Sequence, residues 1–166
     1  MQRKNVMDDL LTNELRDLYS AENQLIEVLP KLAEATNDEN LKIFFLTHQH
    51  ETIRHKERLD QISKITGKDI GGIHCAIIKD LISEAEEIIH AYEDTFLLNP
   101  ALISIALRTV HYQIASYGAS LNYADLIIED EVASILLSSL REKKEADILL
   151  NKLANVSLKT EKEEAI

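Results

Sequence analysis

The sequence predicts an all-α fold of four long helices and one shorter helix. Hydrophobic residues make up 45% of the 166 residues, which is enough for the core of one domain. The chain has only 4 Gly and 2 Pro, and so few turn-forming residues argue against a β or βαβ fold. Apolar side chains recur at steps of three, four and seven residues, the period of a helix that buries one face.

The first two predicted helices cover about residues 6–36 and 39–66. Asp38 is positioned to cap the start of the second helix, and Gly67 to end it. Pro30 removes a backbone donor, which predicts a kink near the end of the first helix. The buried face of the first helix is predicted to carry Leu11, Leu15, Leu18, Leu25, Leu29 and Leu32.

Three further helices are predicted at about residues 73–92, 100–128 and 131–156. Asn99 before Pro100 reads as a cap followed by a first-turn proline, and Asp130 as the cap of the last helix. Long antiparallel pairs joined by a shorter helix are typical of a ferritin-like bundle with one crossover. We therefore predict one domain over residues 1–156, followed by a charged, disordered tail at 157–166.

Composition and charge exclude several classes of function. The net charge of −11 makes nucleic acid an unsuitable partner, because phosphate binding needs an excess of Lys and Arg. The sequence has neither a signal peptide nor an apolar span of about 20 residues, so no membrane partner and a cytoplasmic location are expected. The single cysteine, Cys75, permits no internal disulfide and reads as a small buried residue.

Ionisable residues interrupt the apolar faces of the first two helices. Glu22 stands where the leucine pattern of the first helix calls for an apolar residue. On the second helix His48, Glu51 and His55 follow one another at single-turn spacing, so Glu51 and His55 can reach one metal ion. The alternatives are a Glu22 carboxylate that extends to water, and core histidines hydrogen-bonded to carboxylates.

The last two helices offer fewer candidate ligands. No carboxylate occurs between Pro100 and Tyr123, while the last helix offers Glu142 and Asp147. Lys143 and Lys144 beside them could instead make Asp147 part of an ordinary ion pair. The candidate metal ligands are Glu22, Glu51, His55, Glu142 and Asp147, with no catalytic or other cofactor-binding residue assigned.

Glu22 and Glu51 are predicted to face each other across the bundle interior, since both interrupt apolar stripes. Without a metal ion, we expect one of them to be protonated or paired with His55 or His48.

Several stretches resemble one known family: Leu-Tyr-Ser-Ala-Glu-Asn-Gln-Leu at 18–25, Leu-Pro-Lys at 29–31, Glu-Thr at 51–52, Glu-Arg-Leu at 57–59, Cys75, His-Tyr-Gln-Ile-Ala-Ser-Tyr-Gly at 111–118, Lys144, and Ala-Asp at 146–147. With them the chain resembles the YciE/YciF family of ferritin-like bacterial proteins over about residues 10–154. The resemblance implies a stress-associated protein whose bundle is related to rubrerythrin and bacterioferritin, with a di-iron or di-manganese site.

The chain departs from that family on its fourth and fifth helices. Val110 and Gln113 stand where the family tends to have carboxylates, and Lys143 and Lys144 follow Glu142 where the family tends to have a run of glutamates. Two divalent ions are usually balanced by about four carboxylates, so a partial or degenerate site is expected, with iron or manganese as the metal if any binds.

Three functions are compatible with these residues. The first is a stress-associated structural or interaction protein whose metal site has decayed. The second is a metalloenzyme that oxidises iron or handles peroxide with Glu22, Glu51, His55 and Asp147 as ligands. The third is a helical adaptor in which a polar core layer fixes the register of the helices. The residues identify no small-molecule substrate.

A homodimer is expected from the family resemblance and from an excess of apolar residues on the third and fourth helices. That excess covers more than one helix face and comprises Ile77, Ile78, Ile82, Ile88, Ile89, Leu102, Ile103, Ile105 and Leu107.

Overall fold

The computed structural model describes residues 2–93, 95–127 and 129–164, with side chains from Val6 to Ser157 within those ranges. Its elements, in chain order, are α1 (Gln2–Ala35), α2 (Glu39–Thr66), α3 (Ala76–Tyr92), α4 (Leu98–Ile127) and α5 (Asp130–Glu164). Over the described ranges the structure contains no strand, which confirms the all-α prediction. α5 extends through Glu164, beyond the predicted helix end at residue 156, and the disorder of the tail remains a prediction.

The helices pack as two antiparallel pairs, α1 with α2 and α4 with α5, joined by the shorter α3. Only three residues separate α1 from α2, and Gln49 Nε2 donates to the Ile26 carbonyl (3.0 Å) across this pair. α3 packs on α1 and α4 as the crossover element. The predicted arrangement of helices 1 and 2 as antiparallel neighbours is confirmed.

The helix ends follow the predicted signals in part. Asp38 caps α2, since its carboxylate accepts a hydrogen bond from the Leu41 backbone N–H (3.0 Å), and Gly67 ends α2 with φ 67°. Asn99 is not a cap, because α4 already begins at Leu98. Its side chain instead accepts from Thr36 Oγ1 (2.6 Å), which ties α4 to the turn between α1 and α2.

Other boundaries differ from the predictions by a few residues. α3 begins at Ala76 rather than residue 73, and Asp130 is the first residue of α5 rather than its cap. Pro30 lies inside α1, which continues to Ala35, and the kink remains a prediction. The predicted end of the fourth helix, residue 128, lies outside the described residues.

A polar layer divides the buried core into two apolar clusters. The first cluster contains Leu25, Leu29, Leu32, Phe44, Phe45, Leu102, Ile105, Val110 and Leu150, among others. The second contains Leu11, Leu15, Leu18, Leu59, Ile62, Tyr117, Val132, Leu136 and Leu140, among others. The polar layer consists of the buried polar residues Glu22, His48, Thr52, His55, Gln113 and Lys143.

The apolar excess on α3 and α4 is partly used inside the chain. Ile78, Leu102, Ile103 and Ile105 are buried in the first cluster, whereas Ile77 is 53% exposed. None of the helices described here is long and apolar enough to cross a membrane.

Asp38→Ala should lower the free energy of unfolding by about 1 kcal/mol, because the Leu41 N–H loses its acceptor at the start of α2. Urea unfolding followed by circular dichroism measures this. The matched control is Asp80→Ala on the exposed side of α3, for which a change within about 0.5 kcal/mol is expected. Equal losses in the two variants would contradict the capping role.

Candidate functional site

Glu22 lies at the centre of the polar layer. Its side chain is 0% exposed, and three donors from two other helices reach it. On α4, Tyr117 donates its hydroxyl to Oε1 (2.8 Å) and Gln113 donates Nε2–H to Oε2 (3.0 Å). On α5, Lys143 donates its ammonium to Oε2 (3.3 Å) and is itself 0% exposed. Glu22 therefore joins α1 to both helices of the second pair.

His55 connects this buried carboxylate to the surface. Its Nδ1 lies 3.9 Å from Glu22 Oε1, and its Nε2 lies 2.6 Å from Glu142 Oε2. Glu142 also accepts a two-pronged hydrogen bond from the Arg58 guanidinium, at 2.9 and 2.8 Å. Because Glu142 accepts from His55, we assign the proton to Nε2, which leaves a lone pair on Nδ1.

Glu51 pairs with His48, and its position facing Glu22 remains a prediction. His48 Nδ1 lies 3.3 Å from Glu51 Oε2, and the Glu51 side chain is 26% exposed, so it is neither fully buried nor fully solvated. Pairing with His48 is one of the two outcomes expected for a carboxylate here without a metal ion. Glu51 and His48 also line a groove of about 370 Å³ between α2 and α5, together with Ile43, Phe44 and Leu149.

Asp147 does not join the other candidates. Its Oδ1 accepts from His111 Nε2 (2.8 Å), and the His111 side chain is 62% exposed. Ala146 turns inward at this point of α5 instead, with 5% exposure. The expectation that Asp147 lies on the inward face is wrong, and the structure brings together Glu22, His55 and Glu142.

Burial is the largest cause of the pKa shifts of the ionisable residues in the polar layer. It raises the pKa of Glu22, and the Lys143 charge with the hydrogen bonds from Tyr117 and Gln113 offsets part of that rise. Burial lowers the pKa of Lys143, which Glu22, Glu51 and Glu142 oppose. Three donors directed at Glu22 stabilise its ionised form. We therefore describe Glu22 and Lys143 as an ion pair of carboxylate and ammonium.

Both histidines are held neutral. Burial, with the nearby Lys143 charge, lowers the pKa of His48 from 6.5 to about 4, although Glu51 acts in the opposite direction. Burial, again with Lys143, lowers the pKa of His55 well below its usual value. The cations Lys143 and Arg58 therefore pair with the carboxylates of Glu22 and Glu142, while Glu51 contacts the neutral His48.

These residues do not fit a pair of divalent ions. A di-metal site in such a bundle needs carboxylates from all four long helices, and α4 supplies only Gln113 and Tyr117. Both Glu22 oxygens already accept from protein donors, and an ammonium lies beside one of them. Within the described ranges, no three His, Cys, Asp or Glu side chains are grouped so that they could hold an ion.

The burial of Lys143 was not predicted from the sequence, which offered this lysine only as a possible ion-pair partner of Asp147. The signal was present, because Leu136, Lys143 and Leu150 are spaced by seven residues and all are buried. Gln113 lies inward for the same reason, between Val110 and Tyr117 on the buried face of α4.

Acid should destabilise the fold through His48. Between pH 6.5 and about 4 the unfolded chain binds a proton at this residue and the folded chain does not, so stability falls as pH falls through this window. The loss is on the order of 2–3 kcal/mol. His48→Gln, which keeps an N–H donor for Glu51, should flatten this dependence in urea unfolding across the window, leaving the contribution of His55.

The control is His50→Gln, the same substitution at an exposed position two residues away. It should leave the wild-type dependence on pH unchanged. A His48→Gln variant with the full wild-type slope would rule out this role for His48.

Known proteins resemble this chain along nearly its whole length. The family described as "Domain of unknown function (DUF892)" matches residues 6–163. Protein YciF of Escherichia coli strain K12 is 38% identical over 158 residues, covering 93% of this chain and 95% of that protein.

Solved structures agree with the fold. The crystal structure of the E. coli stress protein YciF superposes with a TM-score of 0.89 at 36% identity, covering 92% of this chain and 97% of that one. YcfI of Rhodopseudomonas palustris, named as a proposed structural protein, gives 0.84 at 36% identity, over 87% and 92% of the two chains. A Xanthomonas campestris protein, at 20% identity and a TM-score of 0.72, supports the fold alone. The chain therefore belongs to the YciF family, within the domain family described as DUF892, as its sequence resemblance implied.

Proposed function

We propose that this chain is a YciF-type stress-associated protein with a structural or interaction role, and that its inherited metal site is partial or lost. The observation that carries the proposal is the contribution of α4 to the polar layer. Gln113 and Tyr117 bring an amide and a phenol to Glu22 where a working di-metal bundle would bring carboxylates.

The other candidate ligands support the same conclusion, since they are engaged elsewhere. Glu51 is paired with His48, and Asp147 with the exposed His111. Two-metal chemistry needs ions about 3.5–4 Å apart that share bridging ligands. The names of two similar solved proteins, a stress protein and a proposed structural protein, support a stress-associated or structural role.

Purified wild-type protein should contain fewer than about two metal ions per chain and should oxidise Fe(II) in air no faster than buffer. Elemental analysis and absorbance of the ferric product measure these. Two ions per chain, with fast oxidation that Glu51→Ala abolishes, would overturn the proposal.

Restoring carboxylates on α4 tests the decay directly. The double variant Val110→Glu, Gln113→Glu should gain metal binding, because two anionic oxygen ligands then face the layer. Its control, Ala115→Glu with Asn122→Glu, adds the same charge on the exposed face of α4 and should gain none. Circular dichroism establishes that both variants remain helical.

We further propose that the chain forms a homodimer through apolar residues around α3. Ile73 and Ile77 near its start are 47% and 53% exposed, and Phe96 and Leu97 beyond its end are 68% and 42% exposed. Exposed apolar side chains of this kind are typical of interfaces.

Sedimentation equilibrium should give twice the chain mass of 18.8 kDa. Ile77→Asp should weaken self-association by at least about tenfold, because a charge enters an apolar contact. Ser83→Asp, at an exposed polar position of α3, is the matched control and should not change it. A wild-type chain that stays monomeric at high concentration would exclude the dimer.

A further inference from the structure

The Lys143 ammonium lies at a position where burying a charge is energetically unfavourable. Lys143 is 0% exposed and lies on α5 midway between the buried residues Leu136 and Leu150, seven residues from each. An ammonium removed from water is tolerated only when opposite charge and acceptors surround it. Its hydrogen-bonded partner in the structure is Glu22, whose Oε2 lies 3.3 Å from Nζ.

The surrounding layer presents further lone pairs. Among the residues whose side chains the structure describes, three buried side-chain polar atoms have no hydrogen-bond partner: His48 Nε2, His55 Nδ1 and Gln113 Oε1. All three are acceptors, because His48 and His55 use their other nitrogen toward Glu51 and Glu142, and Gln113 donates its amide N–H to Glu22. An interior lined by a carboxylate and unpaired lone pairs favours a cation.

We infer that Lys143 is the resident cation of this layer, standing in for the metal ion that a carboxylate-bearing bundle interior would otherwise require. The inference rests on the proposed function, in which the metal site is partial or lost. Its ammonium supplies the positive charge to Glu22 from a covalently attached group, so the layer stays balanced when no metal is available. The same charge repels an incoming divalent ion.

Replacing the charge should open the site. Lys143→Glu removes the ammonium and adds a carboxylate beside Glu22 and His55, an oxygen and nitrogen ligand set suited to Co(II) or Mn(II). The variant should bind about one equivalent of Co(II), seen as visible absorption bands, and its thermal midpoint should rise when the metal is added. Lys144→Glu, the same substitution at the exposed neighbour, should do neither.

A second experiment needs no metal and covers the case in which Lys143→Glu fails to fold. In buffer with a chelator, Lys143→Met should lower the thermal midpoint, because Glu22 loses its countercharge inside the core. Adding Glu22→Gln should restore most of the loss, since a neutral amide needs no cation. Lys144→Met should leave the midpoint unchanged. A Lys143→Met midpoint equal to that of the wild type, or no recovery in the double variant, would overturn the inference.

The two proposals fail separately. Two metal ions per wild-type chain would overturn the proposed function, while the metal-free cycle of Lys143 and Glu22 would still report on the ion pair. A metal-free wild type whose Lys143→Met variant is undisturbed would keep the proposed function and overturn the resident cation.

Discussion

A carboxylate without access to water has to be compensated by the protein itself, and in this bundle that carboxylate is Glu22. Its compensation comes from Tyr117 and Gln113 on α4 and from Lys143 on α5. Removing one partner of such a buried pair typically costs about 3–5 kcal/mol, a large part of the stability of a domain. The positions of three helices are therefore set by where four polar side chains must meet.

The apolar clusters on either side of this layer are less selective. Leucine and isoleucine tolerate exchange and sliding against one another better than hydrogen-bonding groups do. A slip of α5 by one helical turn, about 5.4 Å, would move Lys143 away from Glu22 and into an apolar cluster. We therefore expect the polar layer to fix the register of the bundle, while burial of the apolar clusters supplies most of the driving force for folding.

The sequence predicted best those features that depend on residues close to one another along the chain. Leucine periodicity gave five helices in the right order, and Asp38 and Gly67 act where their chemistry predicts. Glu22 also lies in the core, as its place on the stripe indicated. The burial of Lys143 was missed because periodicity shows only which helix face a residue occupies. A lysine is tolerated on the buried face because its ammonium pairs with Glu22, which lies 121 residues earlier in the sequence. Asp147 was misplaced because, at 3.6 residues per turn, positions 146 and 147 lie at similar angles from the face that carries Lys143 and Leu150. In the structure Ala146 is the buried one of the two.

The connectivity of the Glu22 contacts has a consequence for how the chain folds. Its donors lie 91, 95 and 121 residues further along the sequence, whereas the neighbouring α1 and α2 are joined by a short turn. Each helical hairpin can form through local contacts, but the α1–α2 hairpin alone leaves Glu22 without its donors, and the α4–α5 hairpin alone leaves Lys143 without its acceptor. We therefore expect docking of the two hairpins to be coupled to burial of the charges, so that the bundle unfolds as one cooperative unit rather than as two separable halves.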